Sequence, residues 1–536
     1  MDTNQSMFAY LKESCSDLEK TKIIYFGRKF KAREMFYEIE RVGNFLKSLA
    51  PKGKPFVVSI ALPNMPEAVF ALYGTNAIGA IANLMHPLIA APALIKNLTK
   101  TKSDVIFIYD KLYAQVKQRI PQDVKCIVCS VSRRMGLVYK LAVKSTEPML
   151  RHTFKYDHMP RQEEFVHVDA EADAPAVYLH SGGTSGEPKT VVLSNRALNS
   201  LSTDIISSVY QYSDTSYKET DSMLMCLPIF HGFGLGVCAH TILAHAHVVL
   251  MPNFNVNLAI KFIKKYKISH IAGVPAMYRK ILENKNFKGD FKCISHVFCG
   301  ADKLPSELKT LFDNKLRELG SDAEICEGYG LTETTTVFSL NRPGRTRTNS
   351  QGQPLMGNFV LVVDENNKIL PHGQCGELLL QAKACMTEYL DDTEATKATF
   401  LEIDGKRWLK TGDYGCVDDD DYIYFKERIK RSIKIAAVNV FPSEIEEVVN
   451  KLPEIKESCV ARATINGKPH TKLFIVLNAE FTYNEKIAKK IHREIEKHIS
   501  HYAIPKEIIS CEELYHTAIG KVDYVRYERE LENKKK

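Results

Sequence analysis

The chain has little of what marks exported, membrane-spanning or nucleic-acid-binding proteins. Its N-terminus, MDTNQSMFAYLKESCSDLEK, lacks a basic stretch leading into an apolar one, so no secretory signal is expected. No uncharged apolar run reaches spanning length without Pro, Asn or His inside it. The nearest, GFGLGVCAHTILAHAHVVLMP (232–252), holds three histidines and reads as a buried strand–helix pair. Net charge is only +8 over 536 residues, and acidic runs such as DDDD (418–421) interleave with basic ones. That balance predicts no nucleic-acid stripe and suits anionic substrates. The 13 cysteines, odd in number and set among apolar residues, give no disulfide framework and predict a reducing cytoplasm. Cys126 and Cys129 form a lone CxxC in a β-like run, with no second pair at zinc spacing. There is no internal repeat. The basic stretch SRRMGLVYKLAVKS (132–145) reads as a solvated helix face, with peripheral membrane contact as its alternative.

What is present is ordinary globular material, 45% hydrophobic and 25% charged, enough for a large core. From about residue 30 to about 340, strand-like runs alternate with helical patterns: FVVSIAL, DVIFIYD, CIVCSV, AVYLH, MLMCLPI, HVVLMP, HIAGV and HVFCG. That alternation predicts an α/β fold with parallel sheets, helices on their faces, in more than one such unit. Between 350 and 425, short strands and Gly/Asp turns predict a small antiparallel or barrel-like unit. Beyond it lies KERIKRSIKIA, then FPSEIEEVVNKL, where Ile445, Val448, Val449 and Leu452 follow helical spacing after Pro442 and Ser443. A boundary is expected near 428–430. It separates an N-terminal domain (1–428) from a small α+β C-terminal domain (429–536).

The segment HSGGTSGEPKTVVLSN (180–195) places glycines, hydroxyls and Lys189 between two apolar runs. Such residues let backbone N–H groups converge on an anion. It is not a P-loop, because Pro188 stands where the second glycine is required and a β-branched run follows the lysine. On its own the segment is either a Gly/Ser surface turn or a phosphate cradle between two strands.

Downstream come LPIFHGFG (227–234), EGYGLTET (327–334), WLKTGD (408–413), KERIKRSIK (426–434), FPSEIE (441–446) and AIGKVD (518–523). This ordered series resembles the core motifs of the adenylate-forming superfamily: acyl-CoA synthetases, aryl-CoA ligases, luciferases and peptide-synthetase adenylation domains. The resemblance covers almost the whole chain, reaching back to ALPNMPEAVFALYGTNAIGAIANLMHP (61–87). It implies a large N-terminal domain of two doubly wound subdomains plus a β-barrel-like unit, followed by a mobile C-terminal lid. It also implies that a carboxylate attacks the α-phosphorus of ATP, giving acyl-AMP and pyrophosphate, and that coenzyme A then takes the acyl group.

Carried onto this sequence, the resemblance assigns Ser181, Gly182, Gly183, Thr184, Ser185, Gly186 and Lys189 to the β- and γ-phosphates. Thr332 would bond the α-phosphate and Glu333 would bind Mg²⁺. Tyr329 and Gly330 would meet the nucleotide, with Tyr329 against the adenine. Asp413 and Arg428 would hold the ribose. Lys521 would bridge the carboxylate and the phosphate in the transition state. His231, Phe233, Gly234, Gly300, Ala301 and Gly330 would form the acid pocket, with His231 as its gate. Rotation about Lys430 would exchange Lys521 for a thioester face around Lys434 and Ala437.

The sequence departs from the family pattern at several points. Ile435-Ala436-Ala437-Val438 lacks the usual glycine of the thioester loop, and this leaves a carrier protein as an alternative acceptor to coenzyme A. Thr190, Tyr515 and QAKACM (381–386) are milder departures. No acidic residue is placed to meet an amino group, so a hydrophobic acid is expected. A fatty acid is favoured over an aryl acid because Gly234 and Gly236 would leave room for a tunnel. A nucleotide-binding protein without turnover is the remaining alternative, and an intact Lys521, Glu333 and Asp413 weigh against it.

Overall fold

All eight apolar runs rich in β-branched residues form strands, and seven lie within two parallel arrays while Pro175–His180 closes one of them. The computed structural model describes the chain outside residues 138, 140–153, 157–158, 161–164, 166, 182–187, 211–217, 219, 436–437, 466–467, 500, 517–521 and 534–536. In the first sheet Val57–Ala61 lies at the centre, flanked in parallel by Ile81–Leu84 and Val105–Tyr109. Pro175–His180 follows Ile81–Leu84, then Thr190–Ser194 turns back antiparallel, and Glu388–Tyr389 completes that edge. In the second sheet Ile325–Tyr329, His296–Cys299, His270–Gly273, Ser222–Met225, His247–Leu250 and Thr21–Tyr25 run parallel.

The central strands are buried along their whole length, Val57–Ala61 and Ile81–Leu84 at every residue. Strands covered on both faces read as continuous apolar runs, and this is what a parallel sheet between helix layers demands. Helix Pro66–Asn76 is buried at every position. It crosses helix Ala32–Leu49 so closely that a Cβ on Gly74 would sit 2.7 Å from Val42 Cγ1. The 232–252 stretch is a helix beginning with the π-type segment Phe233–Thr241, followed by the strand His247–Leu250. It is a buried helix–strand pair.

Phe359–Val363, Cys375–Gln381, Lys406–Val417, Phe400–Ile403 and Ile423–Arg428 make a separate antiparallel sheet. Along Lys406–Val417, alternate residues from Leu409 to Val417 turn inward, which puts Asp413 in step with Thr411 and Gly415 on the buried side. One expectation about cysteine is corrected here. Cys375 and Cys416 face each other across this sheet and are disulfide-bonded with Cα atoms 4.3 Å apart, while eleven cysteines are free. Register across adjacent strands, not spacing along the chain, makes that pair. Cys126 and Cys129, three apart on one strand, point to opposite faces.

The C-terminal segment has its own three-stranded sheet, Ile455–Ile465, Lys468–Leu477 and Glu507–Ser510. Its core includes Val440, Ile445, Val449, Leu473, Ile475, Ile491 and Ile495. The Ile445 and Val449 spacing in helix Pro442–Asn450 supplies one apolar stripe, and Ile487, Ile491 and Ile495 in Glu485–His498 supply the other. Among the described residues no helix is long and apolar enough to cross a membrane. Half of the basic stretch 132–145, residues 138 and 140–145, lies outside the described residues.

Candidate active site

The hydroxyl-rich segment joins two antiparallel strands, Pro175–His180 and Thr190–Ser194. Just beyond their last pair, Ser181 N–H donates to Lys189 O at 2.9 Å and Lys189 N–H donates to Ser181 Oγ at 3.2 Å, closing the base of the loop. Gly182, Gly183, Thr184, Ser185 and Gly186 lie outside the described residues. Beneath this base His180 contacts Asn83 Oδ1 at 2.8 Å and Thr190 Oγ1 at 3.3 Å. Burial, with the charge of Lys100 adding to it, pushes its imidazole down to about 4, so it is neutral near pH 7.

Glu333 follows Thr332 in a single tight turn, Thr332–Thr334, and both residues are half-buried. Its backbone oxygen accepts from Met386 N–H at 2.7 Å, and its Oε1 accepts from Tyr389 O–H at 2.8 Å. The next residues are strained. Thr335 has φ 65° and ψ −47°, an unusual region for a β-branched side chain, and Thr336 N–H donates to Thr334 O at 2.7 Å. This kink forces close backbone approaches. A Cβ on Gly330 would lie 1.6 Å from Thr336 O, and one on Gly232 would lie 2.0 Å from Thr335 O.

Tyr329, at the end of its strand, donates its hydroxyl to Asp413 Oδ2 at 2.5 Å and stacks on Phe425 with centroids 6.1 Å apart. Asp413 pairs in register with Arg428, whose guanidinium stands 2.9 Å from Oδ1. Both oxygens of this fully buried carboxylate are thus engaged, Oδ2 by the Tyr329 hydroxyl and Oδ1 by the Arg428 charge. Burial raises the Asp413 pKa to about 6 against the opposing pull of Arg428 and the Tyr329 hydrogen bond.

On the other side, His231 is exposed at the head of the π-type segment, and its Nδ1 accepts from Phe233 N–H at 3.3 Å. A Cβ on Gly300 would stand 3.4 Å from the Phe233 ring and 3.5 Å from Gly328 O. The His231–Phe233, Gly300–Ala301 and Gly328–Gly330 segments therefore converge. Ala301 is exposed with φ 67°, where the chain leaves strand His296–Cys299. One expectation fails. The Cβ position of Gly234 is taken by Pro228 O at 2.1 Å, and that of Gly236 by Leu201 Cδ2 at 2.6 Å. These glycines serve close packing at their Cβ positions.

Lys430 is exposed in the short turn Ile429–Arg431. Lys434 pairs with Glu365 at 3.0 Å. Ala437 and Lys521 lie outside the described residues, as does the loop that carries each. Tyr389 carries no sequence signal, because a two-residue strand is too short to show a period. Its ring lies 4.4 Å beneath the Lys189 ammonium while its hydroxyl holds Glu333.

A family model described as "AMP-binding enzyme" matches residues 13–390, and one described as "AMP-binding enzyme C-terminal domain" matches 444–521. 4-coumarate–CoA ligase 2 of Solanum tuberosum is 28% identical over 415 residues, spanning 75% of this chain and 71% of its own. The long-chain-fatty-acid–CoA ligase of Bacillus subtilis is 27% identical over 557 aligned positions, spanning 99% and 95%. The ATP-bound structure of MatB from Rhodopseudomonas palustris superposes with a TM-score of 0.84 at 21% identity, covering all of both chains. A benzoate CoA ligase from Burkholderia xenovorans gives 0.79 at 20% identity, covering 98% of this chain and 99% of its own.

Proposed function

The chain belongs to the AMP-binding enzyme family, and from that premise we propose that it is an acid–CoA ligase acting through an acyl-AMP intermediate. The observation that carries the reading is the buried Asp413 carboxylate set between Arg428 and Tyr329. An ionised carboxylate accepts hydrogen bonds from vicinal hydroxyls, so this position suits a ribose. Tyr329 presents a rigid aromatic surface beside it for the base.

With the sugar fixed there, the triphosphate would extend toward Thr332, Glu333 and Lys189. A carboxylate oxygen of the acid would attack the α-phosphorus as the bond to the β-phosphate oxygen breaks and pyrophosphate leaves. Two anions must meet, so the chain's work is to position them and to supply cations. Lys189 and Lys521 are the cations proposed for this, Lys521 acting where charge develops in the transition state.

Glu333 and Thr332 offer a carboxylate and a hydroxyl, hard oxygen donors of the type Mg²⁺ takes. Among the described residues no group of three His, Cys, Asp or Glu side chains could cage a metal. When bound, Mg²⁺ would neutralise phosphate charge. In the second half-reaction, the coenzyme A thiol would attack the acyl carbonyl and expel AMP, after rotation about Lys430 brings Lys434 and Ala437 to the site.

We propose a hydrophobic acid without an amino group. The convergence of Phe233 on Gly300 supports an apolar pocket wall. The filled spaces beside Gly234 and Gly236 remove the argument that favoured a fatty acid, so a panel of acids decides the class. The test measures pyrophosphate and AMP release with ATP, Mg²⁺ and fatty and aryl acids, with and without coenzyme A. One acid class giving AMP that depends on coenzyme A is the expected result. Pyrophosphate release indifferent to coenzyme A would assign a different acceptor.

A further inference from the structure

We propose that Tyr389 is a positioning residue that aims Glu333 with its hydroxyl and, with its ring, keeps Glu333 and Lys189 from neutralising each other. The proposal rests on the reading that Glu333 meets the metal and Lys189 meets the phosphates.

Tyr389 stands between two groups of opposite charge. Its hydroxyl donates to Glu333 Oε1 at 2.8 Å, and the Lys189 ammonium lies 4.4 Å from its ring centroid. The tyrosine is itself fixed from behind. It pairs in register with Val191, Leu390 N–H donates to Thr190 O at 2.9 Å, and Tyr389 N–H donates to Thr396 Oγ1 at 2.9 Å. Met386, three residues earlier, donates its N–H to Glu333 O at 2.7 Å. The segment Met386–Leu390 therefore ties the Glu333 turn to strand Thr190–Ser194, which Lys189 immediately precedes. Tyr389 is only 6% exposed.

Two effects follow. A carboxylate oriented by an outer hydrogen bond presents its remaining oxygen in a fixed direction, and loss of such a partner costs about 10–100-fold in metal affinity. A lysine over an aromatic face is attracted to the ring quadrupole, and that interaction leaves its charge unneutralised. Without the ring, Lys189 and Glu333 are free to close into an ion pair, which would withdraw both from a ligand.

The two effects separate by substitution. Tyr389→Phe removes the hydroxyl and keeps the ring, whereas Tyr389→Leu removes both. The probe is α,β-methylene-ATP, titrated by calorimetry without metal, with Mn²⁺ binding to the enzyme–nucleotide complex followed by electron paramagnetic resonance. For Tyr389→Phe the Mn²⁺ dissociation constant is expected to rise about tenfold, with metal-free nucleotide affinity unchanged. For Tyr389→Leu the metal-free nucleotide affinity falls as well. In a Glu333→Gln background Tyr389→Phe adds no further loss, a coupling that a purely structural role would not produce.

An unchanged Mn²⁺ constant in Tyr389→Phe overturns the proposal, as does a Tyr389→Phe loss undiminished by Glu333→Gln. Absence of any Mn²⁺ site in the parent complex overturns it too. These binding constants need no turnover. Failure of every acid to release pyrophosphate would defeat the ligase reading and leave the Tyr389 result standing on its own.

Discussion

Asp413 shows how burial sets chemistry at a single residue. Its folded pKa near 6 lies above the ordinary carboxylate value of about 3.9, because desolvation outweighs the pull of Arg428. Above about pH 6 the group is ionised and accepts two hydrogen bonds; below it a proton occupies one oxygen. Nucleotide affinity is therefore expected to weaken as pH falls through about 6, whereas Asp413→Asn binds weakly with a flat profile, both read by calorimetry across that range. Stability responds in the opposite sense. Between about pH 4 and 6 the folded state holds this proton more tightly than the unfolded chain. The group's contribution is thus full below that window and is lost as pH rises through it. The sequence motif TGD points to Asp413, but the register that sets Arg428 opposite it on the next strand is made across the sheet, which no local pattern reveals.

At the scale of elements, the Thr332–Thr336 turn depends on glycines that leave room for its backbone. A methyl at Gly330 would collide with Thr336 O, and backbone cannot swing aside as a flexible side chain can. Gly330→Ala is expected to cost at least about 1–3 kcal/mol, seen as a lowered Tm, and to reduce pyrophosphate release by displacing Thr332 and Glu333. If its Tm and rate match the parent, the turn is more yielding than this geometry allows. Strands and helices with a clear period are legible in the sequence: FVVSIAL is buried on both faces, and the Ile445 stripe packs as its spacing predicts. Gly234 and Gly236 were misleading because smallness in a sequence does not say what fills the space. Pro228 O and Leu201 fill it here. Tyr389 and the Cys375–Cys416 bond are illegible for a related reason, since each is made by strands meeting across the fold.

At the scale of the whole molecule, the proposed chemistry needs the C-terminal domain to move. Lys434–Glu365 and Lys303–Glu447 join it to the larger part through exposed side chains. Such pairs are worth about 0–1 kcal/mol each and weaken in salt, and the seam also carries the Ser443 N–H to Glu427 bond at 2.9 Å and the Tyr414–Phe441 stack. Lys521→Ala is expected to lower pyrophosphate release by about 10²–10³ while nucleotide affinity changes far less. Equal losses in both would make Lys521 a binding group and not a stabiliser of the transition state. The order of motifs along the chain points to an N-terminal and a C-terminal part, as the two family models match them, whereas the geometry at the thioester face does not follow from Ala437 alone.

In the proposed reaction one site makes an acyl-AMP and then surrenders it to a thiol. The most direct measurement incubates enzyme with ATP, Mg²⁺ and the preferred acid, isolates the protein by rapid gel filtration, and chases it with coenzyme A. Enzyme-bound acyl-AMP that converts to equal amounts of AMP and acyl-CoA on the chase is the predicted result. No bound acyl-AMP, or an adenylate that coenzyme A leaves intact, would contradict the account.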